Sequence, residues 1–178
     1  KNHLVPFGEY IPFRNSFKTI AHYLSSRDFA SGHLKENINL KGFGDIVTLI
    51  CYEILFSTEV SKRISNNTKL LINITNDAWF GKTIGPHQHL ALAKIRAVEL
   101  GLPLVRVANT GISAFISPYG NEIVKIPINE EGVRYTNLIP PLAETIYKKF
   151  GECIFIIFIL YYLFIHYFML FNFRKKNQ

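Results

Sequence analysis

The sequence predicts a mixed α/β domain followed by one membrane-spanning helix. Three observations carry that reading. Apolar, β-branched runs alternate with helical patterns along the chain. Those runs are continuously apolar, which suits strands buried on both faces of a sheet. Finally, "CIFIIFILYYLFIHYFMLFNF", from Cys153 to Phe173, contains no charged side chain.

Taken in order, "SFKTIAHYL" (16–24) is expected to form a short helix and 25–44 a loop. "DIVTLI" (45–50) and "KLLINIT" (69–75) read as strands that end at turn-type residues. Between them, "STEVSKRISNN" (57–67) has a weaker helical pattern with Ser57 as its cap. "GPHQHLALAKIRAVELG" (85–101) is the clearest helix, with Pro86 near its start, Leu90, Leu92, Ala93, Ile95, Ala97 and Leu100 for packing, and Gly101 as its stop. "LPLVRVA" (102–108) and "GISAFIS" (111–117) read as two more strands. "SPYGNEI" (117–123) turns into another, and "GVRYTNLIP" (132–140) reads as a last one. No internal repeat is visible.

A helix over Cys153–Phe173, at about 1.5 Å per residue, reaches across a hydrocarbon core of roughly 30 Å. Three cationic residues, Arg174 to Lys176, follow this run, and Lys148 and Lys149 precede it. The excess places the C-terminus in the cytoplasm and residues 1–150 on the outer face. His166 reads as a tolerated polar residue within the span. The expected organisation is a catalytic-type domain over 1–145, a juxtamembrane linker over 146–152, the span over 153–173 and a basic tail over 174–178.

The 178 residues carry a net charge of +7, but Arg14, Lys35, Lys62, Lys94 and Lys125 fall on separate elements. Neither a basic stripe nor a known nucleic-acid motif appears, so nucleic acid is not an expected partner. The first residues read as the middle of a motif, so the chain is expected to be the C-terminal piece of a longer protein. With two cysteines there is no disulfide framework.

Cys51 ends the apolar run "IVTLI" and precedes Tyr52 and Glu53. One reading is a buried filler, since free cysteine is among the most buried residue types. The other is a nucleophile aimed from a rigid strand end, with the next backbone N–H free to serve as an oxyanion donor. A thiol becomes a useful nucleophile only with a base or cation nearby, and "KNHLVPFGEYIP" offers Lys1 and Glu9. Each of these also has a plain reading, Lys1 as a solvated terminus and Glu9 as a surface charge. "TNDAWFGKTIGP" (75–86) contains the single Trp, Trp79, either a core plug or a residue of a site.

Together, "KNHLVPFGEYIPFR", "CYEILF", "NDAWFGKTIGPHQHLALAKIRAVELGLPLVRVANTGISAFISPYG" and the terminal apolar run resemble the bacterial apolipoprotein N-acyltransferases of the nitrilase, or carbon–nitrogen hydrolase, superfamily. The resemblance covers nearly all of residues 1–173 in the same order. It implies the C-terminal part of a nitrilase-like α-β-β-α sandwich on the periplasmic side of the bacterial inner membrane. Of the superfamily's Glu–Lys–Cys triad, Lys1 matches the lysine and Cys51 the nucleophile. Glu9 matches an additional glutamate that positions the lysine, and Tyr52 and Glu53 match the residues after the nucleophile. The general-base glutamate belongs to sequence before Lys1, so the piece alone is expected to be inactive.

The resemblance further implies a phospholipid acyl donor, a Cys51 thioester and an apolipoprotein acceptor, with Trp79 in the substrate site and no cofactor. The membrane run and the exposed-looking Phe7, Tyr10, Phe13 and Phe80 favour lipid over a soluble amide. A nitrilase or amidase acting on a small substrate is the alternative enzyme, and a non-catalytic membrane-anchored remnant is the alternative outside catalysis. "HQH" (87–89) is not expected to hold a metal, because residues two apart on a helix point to different sides. Cys153, at the membrane boundary, reads as passive.

Overall fold

The computed structural model describes residues 1, 3–16, 28–32 and 37–176, with side chains of the last helix given through Met169. The helix expected over 16–24 falls, except for its first residue, outside the described residues. Among the described residues six strands form one sheet in sequence order: β1 (Ile38–Leu40), β2 (Gly44–Ile50), β3 (Thr68–Asn76), β4 (Leu104–Asn109), β5 (Ser113–Ile116) and β6 (Glu122–Ile126). The central trio β2, β3 and β4 is parallel, and β1, β5 and β6 join antiparallel at the two sides. Parallel neighbours require crossovers. These contain the short helix α1 (Ser57–Lys62) and the long α2 (Gly85–Leu100).

Alternation along the strands divides the sheet's two faces. Val47, Leu49, Leu71, Leu104 and Ile116 point to the side that packs Leu90, Ala93, Ala97 and Leu100 of α2, and all are buried. The alanines let the helix approach closely. Truncating a buried leucine in such a layer costs about 2–5 kcal/mol. The opposite face holds the smaller cluster of Ile46, Leu70 and Phe115. Farther along that face, Ile50, Ile74 and Val107 remain about half exposed. Burial on both faces, expected from the unbroken apolar runs, is therefore met fully only toward α2 among the described residues.

Gly101 ends α2 in the left-handed conformation, φ 63°. A Cβ there would also approach Thr145 Cγ2 to 2.8 Å. The segment after residue 140 docks at this point, Leu142 N–H donating to Gly101 O at 2.8 Å and Thr145 Oγ1 donating to Glu99 O.

Leu92 and Ile95, also expected to pack, lie on the outward side of α2 and are exposed. Three further expectations are corrected. The loop over 25–44 contains β1, whose pairing of Ile38 with Ile46 extends the sheet. The strand over 132–140 does not form: the segment is irregular, and Val133 and Tyr135 are exposed with no neighbouring strand among the described residues. Ser57 is the first residue of α1 and not its cap. Phe56 occupies the cap position, and the Ser57 hydroxyl donates to Glu152 Oε1 at 3.0 Å.

A short helix α3 (Ile146–Phe150), capped by Thr145 Oγ1, leads into α4 (Cys153–Lys176). From Phe155 to Met169 the large apolar side chains of α4 are exposed. Among the described residues no helix is long and apolar enough to cross a membrane. The uncharged run of the sequence continues to Phe173, past the last described side chain.

Candidate active site

β2 delivers its final residue, Ile50, to the end of the sheet, and Cys51 opens a 3₁₀ turn, Cys51–Leu55. Cys51 has φ 54°, a left-handed conformation that costs a non-glycine residue about 1–3 kcal/mol and persists only where surroundings over-determine it. Here four hydrogen bonds do so. Glu53 Oε2 accepts from Ile50 N–H at 2.7 Å. Asn73 Nδ2, on neighbouring β3, donates to Leu49 O at 3.3 Å and to Cys51 O at 3.1 Å. Arg96 of α2 closes the far end, its Nε donating to Ile54 O at 3.1 Å. The thiol is half-buried, and the amides opening a helical turn have no acceptor within it.

Lys1 and Glu9 pair, Lys1 Nζ lying 2.6 Å from both Glu9 carboxylate oxygens. Glu9 is fixed in turn because Val5 N–H donates to its Oε2 at 2.8 Å across the Pro6–Phe7–Gly8 turn. The Lys1 carbonyl accepts from Gly32 N–H at 2.7 Å. This segment reaches the Cys51 turn through Glu53, whose Oε1 accepts from His3 N–H at 3.2 Å. Glu53 is thus a direct tie between the lysine-bearing segment and the cysteine turn, beside the His3 ring packed 3.7 Å from that of Phe56. Lys1 is neither a solvated terminus nor Glu9 a free surface charge.

β3 ends one strand over, at the same edge, where Ile50 registers with Ile74. A second 3₁₀ turn follows, Asp77–Phe80. Trp79 within it is 80% exposed, which removes the core-plug reading. Phe80 is half-buried, its ring 5.9 Å from that of Tyr52 and 5.8 Å from that of His89. Of the four aromatics expected at the surface, Phe7 and Phe13 are exposed, whereas Tyr10 and Phe80 are half-buried.

Beneath both turns lies a buried polar cluster that the sequence reading missed. Arg106 of β4 donates from Nη1 to Asn73 Oδ1 and from Nη2 to Asp77 Oδ2, each at 2.6 Å, and from Nε to Ile112 O at 3.3 Å. Asp77 Oδ1 faces His89 Nδ1 at 3.0 Å and accepts from Thr75 Oγ1 at 3.1 Å. The His89 ring stacks under Tyr52, centroids 5.0 Å apart. Burial pushes the Asp77 carboxyl up, but the His89 hydrogen bond and the Arg106 charge outweigh it and hold the group below the ordinary carboxylate value. Burial also lowers Arg106, against the opposing pull of Asp77. Burial foremost, then the charges of Cys51 and Asp77, raises Tyr52. A signal existed in the sequence: Asn73, Thr75 and Arg106 are polar residues at core-facing positions of apolar strands, where an unpaired polar group is costly. His89 belongs to "HQH", and the two histidines do diverge, His87 exposed and His89 buried.

Chemically, a thiol on a strained strand-end turn and aromatic surface share one sheet edge, and the segment tied to that turn through His3 carries a lysine clamped by a carboxylate. Carbon–nitrogen hydrolase is the family whose model matches residues 1–147, and the chain belongs to that family. It is 44% identical over 156 residues to the apolipoprotein N-acyltransferase of Rhodopseudomonas palustris, covering 85% of this chain and 29% of the relative. To the apolipoprotein N-acyltransferase of Rickettsia prowazekii it is 43% identical over 175 residues, covering 94% of this chain and 34% of the relative. The chain therefore spans about a third of the length of these curated relatives. The crystal structure of Nit3 from Saccharomyces cerevisiae, a member of branch 10 of the nitrilase superfamily, superposes with a TM-score of 0.51 at 20% identity. That match covers 61% of this chain and 42% of the other, and it concerns the fold alone.

Proposed function

We propose that this chain carries the nucleophile half of an apolipoprotein N-acyltransferase site. The Cys51 thiolate attacks the sn-1 ester carbonyl of a phospholipid. The carbonyl carbon becomes tetrahedral, and its oxyanion is held by the Lys1 ammonium and the Tyr52 N–H. Such donors contribute roughly 3–4 kcal/mol each. The ester C–O bond then breaks, the base returns to the departing oxygen the proton it took from the Cys51 thiol, and a lysophospholipid leaves with the acyl chain held as a Cys51 thioester. The free α-amino group of an S-diacylglyceryl-cysteine N-terminus attacks that thioester, the thiolate departs, and the amine's proton passes to the base. In this reading the base is a glutamate that residues 1–178 are not assigned to supply. Glu9 acts by holding Lys1, Glu53 by holding the turn, and Trp79 by lining the acyl path.

The observation that carries this reading is the Glu53 bridge, which joins the Lys1–Glu9 segment to the strained Cys51 turn. Lipid as substrate is favoured by the exposed Phe7, Phe13 and Trp79 and by the apolar exterior of α4, since contiguous exposed apolar surface marks membrane or partner contact. We assign α4 as an inner-membrane span, with the catalytic domain in the periplasm. The test is acyl transfer by the full-length gene product from phospholipid vesicles to a diacylated lipopeptide. Transfer that vanishes with Cys51→Ala supports the reading. Hydrolysis of a small amide without lipopeptide acylation would point instead to an amidase, and inactivity toward both to a remnant.

A further inference from the structure

Asn73 sits on β3 and is fully buried, yet it touches the peptide unit that matters most to the proposed chemistry. The Cys51 carbonyl and the Tyr52 N–H belong to one planar trans peptide group, so they point in opposite directions and rotate together. Asn73 Nδ2 holds that carbonyl at 3.1 Å. We propose that Asn73, oriented by Arg106, is a positioning residue that aims the Tyr52 N–H at the oxyanion, an inference that rests on the acyl-transfer reading.

The orientation of the Asn73 amide is set by chemistry. Arginine only donates, so the oxygen must face Arg106 Nη1 at 2.6 Å, which turns the NH₂ toward the carbonyls of Leu49 and Cys51. Asn73 is fully buried and Arg106 is 1% exposed. In that low-dielectric setting, serial hydrogen bonds polarise one another. The arginine charge strengthens donation by the asparagine NH₂, and that donation makes the Tyr52 N–H a better donor. Asp77 anchors the other arm of the guanidinium at 2.6 Å, and His89, bonded to Asp77, packs flat beneath the Tyr52 ring. One cluster therefore fixes both the peptide plane before Tyr52 and the side chain after it. A Cβ on Gly111 would come within 2.3 Å of Asp77 Oδ2, so the following loop seals the cluster from above.

The test compares Asn73→Asp and Asn73→Ala with wild type in the full-length gene product. Aspartate keeps an acceptor for Arg106 but cannot donate to the Cys51 carbonyl, and alanine removes both contacts while leaving Arg106 on Asp77. Three quantities are read: the rate and KM of Cys51 thioester formation from phospholipid, the rate of Cys51 alkylation by iodoacetamide, and the thermal midpoint. Alkylation displaces iodide and uses no oxyanion donor. Thioester formation is expected to fall about 100-fold at unchanged KM, while alkylation of the folded variants stays within about threefold of wild type. Acylation at the wild-type rate in both variants overturns the inference while leaving the acyl-transfer reading intact. A parallel loss of acylation, alkylation and thermal midpoint shows a merely structural residue and also overturns it. If wild type forms no Cys51 thioester, the acyl-transfer reading falls and the positioning role with it.

Discussion

Replacing Arg106 by methionine isolates the energetics of the buried cluster. Methionine follows the aliphatic stem of the arginine, so little volume is lost. What disappears is the guanidinium and its bonds to Asn73 Oδ1, Asp77 Oδ2 and Ile112 O. The Asp77 side chain has no exposed surface, so its carboxylate would remain buried without its counter-charge. Breaking a buried pair by removing one partner costs about 3–5 kcal/mol. For a domain of this size each kcal/mol moves the midpoint by about 2–4 °C, so Arg106→Met should lower it by about 12 °C. Adding Asp77→Asn removes the orphaned charge while keeping an acceptor for His89 and Thr75, and should restore about half of the loss. The assay is thermal unfolding of the purified full-length gene product at pH 7. A drop under about 3 °C for Arg106→Met, or simple additivity in the double variant, refutes the claim that these charges stabilise each other.

The same pair fixes a pH dependence. Because the folded state holds Asp77 below its ordinary value of 3.8, its stabilisation is complete above that value and is lost as pH falls through the lower folded value. Thermal midpoints recorded from pH 5 downward should therefore fall less steeply below pH 3.8 for Asp77→Asn than for wild type. Glu53→Gln keeps one side-chain acceptor where Ile50 and His3 N–H need two, and should lower stability by about 1–3 kcal/mol, measured by denaturant unfolding. Lys1→Ala should block acylation of Cys51 in a phospholipid assay, whereas Cys153→Ala, exposed at the start of α4, should leave turnover unchanged.

The central strands and α2 were legible because their residues repeat one physical instruction: apolar β-branched runs closed by turn residues, and a helix opened by Pro86 and stopped by Gly101. β1 was not legible, since three exposed residues carry no periodicity and pair only because β2 offers an edge. The 132–140 segment failed in the opposite way: its residues favour strand, but β propensity is realised only against a neighbour. For the site, the turn after β2 could be anticipated from a cysteine at the end of an apolar run. Asn73, Asp77, His89 and Arg106 could not be assembled from sequence, because which buried polar group satisfies which is decided by the register of β3 against β4 and by where α2 lies. Asn73 registers with Arg106 across that ladder, a pairing invisible until the strands are aligned.

Mass spectrometry of the full-length gene product, incubated with phospholipid and no acceptor, tests the nucleophile assignment most directly. The expected result is an adduct of fatty-acid mass, cleaved by hydroxylamine and mapped to Cys51. It should be absent from Cys51→Ala and formed at most slowly, as an oxygen ester, on Cys51→Ser, whose hydroxyl is far less acidic than a thiol. Equal acyl transfer by wild type and Cys51→Ala would contradict the assignment and return Cys51 to the role of a strained structural residue.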